Sequence, residues 1–202
     1  GDSYTIGTSV TEGERWPNQL VARLAAAARA EGDPAPLELI ANLAVNGFTT
    51  EDLIAVELPR LAAFQPEVVS LQIGVNDIIR GIDESGYQHN VQRILTAVAA
   101  LASVRLVFGV TTPDYTVTPA GADYGDRDVM AAAIAQRNER FAAELERRGL
   151  PVVDVRAVSL LAAADRSLVA QDGLHPSGAQ YGLWVDRIAP ALRAALQATR
   201  RR

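Results

Sequence analysis

The stretch Val68-Val69-Ser70-Leu71-Gln72-Ile73-Gly74-Val75-Asn76-Asp77 decides the fold. Residues 68–73 are mostly apolar and too few for a stable helix, so they read as a short strand of the kind that a parallel sheet buries on both faces. Gly74 ends the run, and polar Asn76 and Asp77 follow. Outward from there the same alternation repeats. Apolar runs at Leu37–Leu43, Arg105–Val110 and Val152–Val155 predict further strands, and helical periodicity predicts helices at Trp16–Ala30, Glu51–Phe64, Tyr87–Ala102, Arg127–Arg148 and Ser177–Thr199. Pro17 suits a first helical turn, Thr50 is placed to cap the second helix with Glu51 and Asp52 complementing its positive end, and Gly32 and Gly149 stand where helices should stop. Alternating units of this kind build an α/β domain around a mostly parallel sheet.

Composition narrows the chemistry. The chain has 202 residues, 49% hydrophobic and 21% charged, with a formal net charge of −5. That suits one globular domain over residues 1–202 with a sizeable core, and no repeat or linker divides it. Without cysteine there is no disulfide, thiolate nucleophile or Cys-ligated metal site. All 19 basic residues are arginine, which removes Schiff-base and P-loop lysines. The two histidines, His89 and His175, are far apart and form no paired metal motif, so neither a metal nor another cofactor is expected. An acidic balance with scattered arginines argues against nucleic acid as a partner, and the run Arg200–Arg202 reads as a solvated, frayed helix end. No apolar stretch reaches the roughly 18 residues that span a bilayer, so no stable membrane insertion is expected. No signal peptide is evident, but the chain starts at Gly1 rather than at methionine, which leaves both a cytoplasmic and a secreted protein in play. Asp123, Asp126 and Asp128 lack calcium-loop spacing and read as a solvated loop, Trp16 and Trp184 as core, and His89 as an exposed polar residue. The 35 alanines suit tight internal packing and a subunit contact equally.

In an open parallel sheet the ligand crevice lies beyond the carboxyl ends of the strands. Asn46-Gly47, Gly74-Val75-Asn76-Asp77 and Asp172-Gly173-Leu174-His175-Pro176 all follow predicted strands, and the chain opens with Gly1-Asp2-Ser3-Tyr4. His175 is a candidate general base, because a neutral imidazole accepts protons near pH 7. Asp172, three residues ahead, can reach Nδ1–H and leave Nε2 free, and Pro176 helps hold His175 before the last helix. Taken alone, Asp-x-x-His is more often a structural pair. Ser3, entering a helix, is the matching nucleophile candidate, with a helix cap as the plain alternative. The Gly47 N–H and the Asn76 amide are candidate donors to a tetrahedral oxyanion, each such donor being worth about 2.7–4 kcal/mol of barrier, although each residue alone is more often a turn former. The irregular segment Thr111–Asp126 has a length that is often functional. Its Tyr115 and Tyr124, with Val75 and Leu174 beside the motifs, are candidates to line a substrate cleft; for the tyrosines, packing on each other is an equal alternative.

Together, Gly1-Asp2-Ser3, Asn46-Gly47, Gly74-Val75-Asn76-Asp77 and Asp172-Gly173-Leu174-His175-Pro176 resemble the ordered blocks of the SGNH hydrolases, also called the GDSL esterase/lipase family, and the resemblance covers essentially the whole chain. It implies a three-layer α/β/α, flavodoxin-like fold and a metal-independent serine esterase. Ser3 would be the nucleophile, His175 the general base and then acid, and Asp172 the residue that holds it. The Ser3 N–H, the Gly47 N–H and the Asn76 amide would form the oxyanion hole, with Asp2 and Asp77 orienting their surroundings. In that family a strand runs directly into the first block, so a strand upstream of Gly1 is expected. Members include carboxylesterases, thioesterases, lysophospholipases and carbohydrate deacetylases. With no long apolar lid, a small or short-chain carboxylic ester is the expected substrate, and a carbohydrate O-acetyl ester the next alternative. A non-catalytic binding module on the same fold is the alternative of another class, which the presence of Ser3, Gly47, Asn76, Asp172 and His175 together argues against. GxSxG, GxGxxG and GxxxxGK[ST] motifs are absent.

Overall fold

The computed structural model describes residues 1–32 and 37–200; Arg201 and Arg202 of the expected frayed end lie outside the described residues. Among the described residues three strands, β1 (Val68–Leu71), β2 (Leu106–Val110) and β3 (Val152–Val153), form an open parallel sheet in the order β1-β2-β3, with Val68 opposite Leu106 and Gly109 opposite Val152. Around it lie α1 (Ser3–Ile6), α2 (Trp16–Glu31), α3 (Thr50–Asp52), α4 (Leu58–Leu61), α5 (Val75–Ile79), α6 (Glu84–Ala99), α7 (Arg127–Arg147), α8 (Arg156–Ser159) and α9 (Gly178–Arg200).

Strand β2 shows why there are three layers. Side chains alternate across a strand. Leu106, Phe108 and Val110 join Trp16, Leu20 and Leu24 of α2 and Trp184, Val185 and Ile188 of α9 in one core. Val107 joins Val91, Ile94 and Leu95 of α6 and Phe141 and Leu145 of α7 in the other. At Gly109 a Cβ would lie 2.5 Å from Leu145 and 2.8 Å from Phe141, so glycine is what lets α7 close on the sheet. Both tryptophans are core residues, as expected, and His89 is exposed.

Several boundaries differ from the sequence reading, each for a local reason. Leu37–Leu43 forms no strand. A strand needs a ladder partner, and this run is separated from β1 by an apolar groove lined by Leu39, Leu43, Leu53, Leu58, Val69 and Leu71. Thr49, not Thr50, caps α3, in a reciprocal capping box with Asp52. Thr50 is instead buried against Asp77. The predicted helix Glu51–Phe64 is helical but passes through a wide π turn at Leu53–Glu57, just ahead of Pro59, whose ring and missing N–H disrupt a regular ladder. Helix α6 starts a turn earlier than predicted, because Asp83 caps it by accepting the Gly86 N–H at 2.7 Å. The loop aspartate Asp126 likewise caps α7.

Candidate active site

Ser3 opens α1. Asp2 caps that helix, its Oδ1 accepting the Tyr4 N–H at 3.0 Å, and Gly7 ends it in the left-handed conformation. Burial pushes the Asp2 carboxyl up to about 7, against the lowering effect of the Tyr4 N–H. A buried amide fixes the helix to the sheet. Gln72 Oε1, just past β1, accepts from Thr5 Oγ1 at 3.0 Å and from Trp16 Nε1 at 3.1 Å, while Gln72 Nε2 donates to the Thr111 carbonyl past β2 at 3.0 Å. Ser3 therefore stands at the carboxyl edge of the sheet.

Asp172 and His175 sit on a turn that leads into α9. A β-bridge between Val169 and Pro176 closes the turn, with the Ala170 N–H donating to the His175 carbonyl at 2.8 Å. Within it, Asp172 Oδ2 meets His175 Nδ1 at 2.6 Å, and Asp172 Oδ1 accepts the N–H groups of Leu174 and His175 at 2.9 and 3.0 Å. Partial burial raises the Asp172 carboxyl, but hydrogen bonds from Ser9, Leu174 and His175 outweigh it and hold the group at about 2. The carboxylate is thus ionised beside the imidazole at neutral pH. The Tyr4 ring packs 5.5 Å from the imidazole.

A polar network joins the Gly47 and Asn76 segments. Asn76 Nδ2 donates to the Phe48 carbonyl at 3.0 Å, and Arg80 Nη2 to the Gly47 carbonyl at 2.8 Å. Both Asp77 oxygens engage Thr50, through its N–H and its hydroxyl, and Asn90 Nδ2 donates to the same hydroxyl. Gly74 makes the turn into α5 at φ +130°, where a Cβ would stand 2.7 Å from the Tyr87 ring. Gly47 also has positive φ, at +79°.

Ser3, Asn76 and His175 line one cleft of about 70 Å³ with Val75, Tyr115, Tyr124 and Leu174. Asn46 borders it where the sequence singled out Gly47. No hydrogen bond joins Ser3 Oγ to His175 among the described residues. Tyr115 and Tyr124 pack edge to face at 5.7 Å as well as lining the cleft, so the two readings of that loop coincide. Among the described residues no group of three His, Asp or Glu side chains is placed to hold a metal ion, and no helix is long and apolar enough to cross a membrane.

Residues 1–183 match the family model of the GDSL-like lipase/acylhydrolases. The chain belongs to that family. Membership makes the GDSL protein an ester-acting hydrolase at the level of the family. Among solved structures, a member of the lipolytic G-D-S-L family from Veillonella parvula is 18% identical with a TM-score of 0.68, covering 92% of this chain and 91% of that one. An acetylxylan esterase from Geobacillus stearothermophilus is 22% identical with a TM-score of 0.68, covering 95% and 89%. TesA is 23% identical with a TM-score of 0.66, covering 96% of each chain. These likenesses establish the fold. No curated protein matches in sequence.

The sequence reading of this GDSL protein missed Ser9, Tyr4 and Ile79 near the cleft. Ile79 was within reach, since it lies one helical turn after Val75 and i, i+4 side chains share a face. Ser9 carried no signal, because nothing local links it to Asp172.

Proposed function

We propose that the protein is a serine esterase of small or short-chain carboxylic esters, with Ser3 as nucleophile, His175 as general base and Asp172 as its partner. The observation that carries this reading is the 2.6 Å Asp172–His175 contact on the same cleft as Ser3. The ionised carboxylate holds Nδ1 protonated and leaves Nε2 to accept. As the ester enters, Nε2 takes the Ser3 Oγ proton while Oγ bonds to the acyl carbon. Negative charge moves to the carbonyl oxygen, toward the Ser3 and Gly47 N–H groups and the Asn76 amide. Collapse breaks the ester C–O bond, and the alcohol leaves with the proton from Nε2. Water then gives its proton to Nε2, attacks the acyl carbon and releases the acid and Ser3 Oγ–H. Catalytic hydrogen bonds tighten in the substrate complex, which is where Ser3 and His175 must close.

The cleft is small, with room for a short acyl group. A carbohydrate O-acetyl ester is the second reading. It is favoured by the exposed Tyr124 ring on the cleft, an amphipathic platform on which a sugar face can pack. The similar fold of an acetylxylan esterase adds to it. Turnover of p-nitrophenyl acetate and butyrate, acetylated xylooligosaccharides and an acyl-thioester by wild type and Ser3→Ala decides among them. Short p-nitrophenyl esters should lead and Ser3→Ala should be inactive; equal rates for the two proteins would overturn the assignment.

A further inference from the structure

The Asp172 carboxylate carries one hydrogen bond that the reaction above does not call for. Ser9 Oγ donates to Oδ2 at 2.6 Å, the oxygen that also meets His175 Nδ1. The other donors, the N–H groups of Leu174 and His175, bind Oδ1 and belong to Asp172's own turn. Ser9 comes from the segment after α1, 163 positions away in sequence. It is also held at φ +66°, a left-handed conformation that glycine would occupy without strain. A side chain is thus kept at a backbone position that disfavours one, and its hydroxyl ends on the acid beside His175.

We infer that Ser9 is a positioning residue for the Asp172–His175 pair. The backbone donors pin Oδ1; Ser9 fixes where Oδ2 lies around that point, and with it the orientation of the imidazole on the Ser3 side of the cleft. The inference rests on the proposed roles of Ser3, His175 and Asp172. Ser9 also draws charge from the carboxylate, and its bond is foremost among those that hold the Asp172 carboxyl below its ordinary value. Without it the carboxylate is more basic and retains the proton on the imidazole more strongly, so the acid limb of kcat/KM against pH moves upward. Other charged and titratable groups around the pair are Asp2 and Tyr4 on α1, Arg15 before α2, Asp114, Tyr115 and Tyr124 after β2, and Tyr181 on α9. They are unchanged by substitution at Ser9, so the difference between profiles belongs to its hydroxyl.

The test compares wild type, Ser9→Ala, Ser9→Gly and Ser3→Ala on p-nitrophenyl acetate across pH, with melting temperatures. Both Ser9 variants should lower kcat by about three- to tenfold, part of what a hydrogen bond to a charged group is worth. Their KM should stay near wild type and their acid limb should rise by a few tenths of a pH unit. Ser9→Gly should melt above Ser9→Ala, because both lose the hydroxyl and only glycine relieves the backbone strain. Unchanged kcat and acid limb in both variants, beside an inactive Ser3→Ala, would overturn the role of Ser9 alone. Wild-type kcat and pH profile in Ser9→Gly with a defect only in Ser9→Ala would show that the backbone, not the hydroxyl, matters. A fully active Ser3→Ala would overturn the underlying site instead.

Discussion

Replacing Asp172 with asparagine separates charge from shape. The carboxylate accepts four hydrogen bonds, two at each oxygen. Asparagine can keep its carbonyl on the Leu174 and His175 N–H groups, which turns its NH₂ toward Ser9 Oγ and His175 Nδ1. A hydroxyl can reverse and accept; an imidazole can accept at Nδ1 only as the tautomer protonated at Nε2, which cannot take the Ser3 proton. Activity should therefore fall by up to about four orders of magnitude, as for a triad aspartate elsewhere. Stability should change far less. The folded value of about 2 lies below the ordinary 3.8, so the carboxylate contributes stability above that ordinary value and loses it as pH falls through about 2. The difference converts to about 2.5 kcal/mol, and solvent screening of a side chain that is 30% exposed reduces it to about 1 kcal/mol. Initial rates on p-nitrophenyl acetate and urea unfolding at pH 7 and pH 3 measure both effects. A rate loss below tenfold would show that Asp172 is not the working partner of His175. A loss of stability of several kcal/mol would show that the variant reports on folding.

Two other substitutions test how the surroundings are built. Gly74→Ala places a Cβ 2.7 Å from the Tyr87 ring at φ +130°, so it should cost about 2–4 kcal/mol in urea unfolding and lower the esterase rate by shifting Asn76; a neutral outcome would mean that the turn relaxes freely. Asp2 has a folded value of about 7, above the ordinary 3.8, so its contribution is complete below 3.8 and is lost as pH rises through about 7. Asp2→Asn keeps the cap acceptor and should flatten that decline in urea unfolding between pH 4 and pH 8; parallel wild-type and variant curves would show that Asp2 is not its source.

The sheet was legible where burial acts on both faces of a strand. Val68–Leu71 and Leu106–Val110 announce themselves by apolar continuity, and the helices around them by period. Leu37–Leu43 has the same composition without the outcome, because laddering is a property of a neighbour rather than of the run itself. Thr50 read as a cap because Ser and Thr before acidic residues usually are; only the fold brings Asp77 and Asn90 to its hydroxyl and leaves the cap to Thr49. The Asp172–His175 contact is local, three residues apart, and a sequence can show it. Ser9 reaches the same carboxylate only through tertiary structure.

That contrast bears on how the cleft is kept in register. Ser3 travels with α1, which leads toward α2, and His175 with the turn before α9, so the packing of α2 on α9 contributes to their separation. The fastening is both polar and apolar. Gln19 Nε2 on α2 donates to the Glu14 carbonyl at 2.6 Å and to the Gly178 carbonyl at 2.9 Å, and Arg23 pairs with Asp186 at 2.7 Å. Gly178 permits the approach, since a Cβ there would meet Glu14 Cγ at 2.8 Å. Trp16 and Trp184 are buried in the shared core. A misplacement of about 1 Å can cost a hundredfold in rate, so this helix pair has little slack. Ser9 adds a tie of another kind, because its bond to Asp172 joins the segment after α1 to the His175 turn directly, without passing through the sheet or the core.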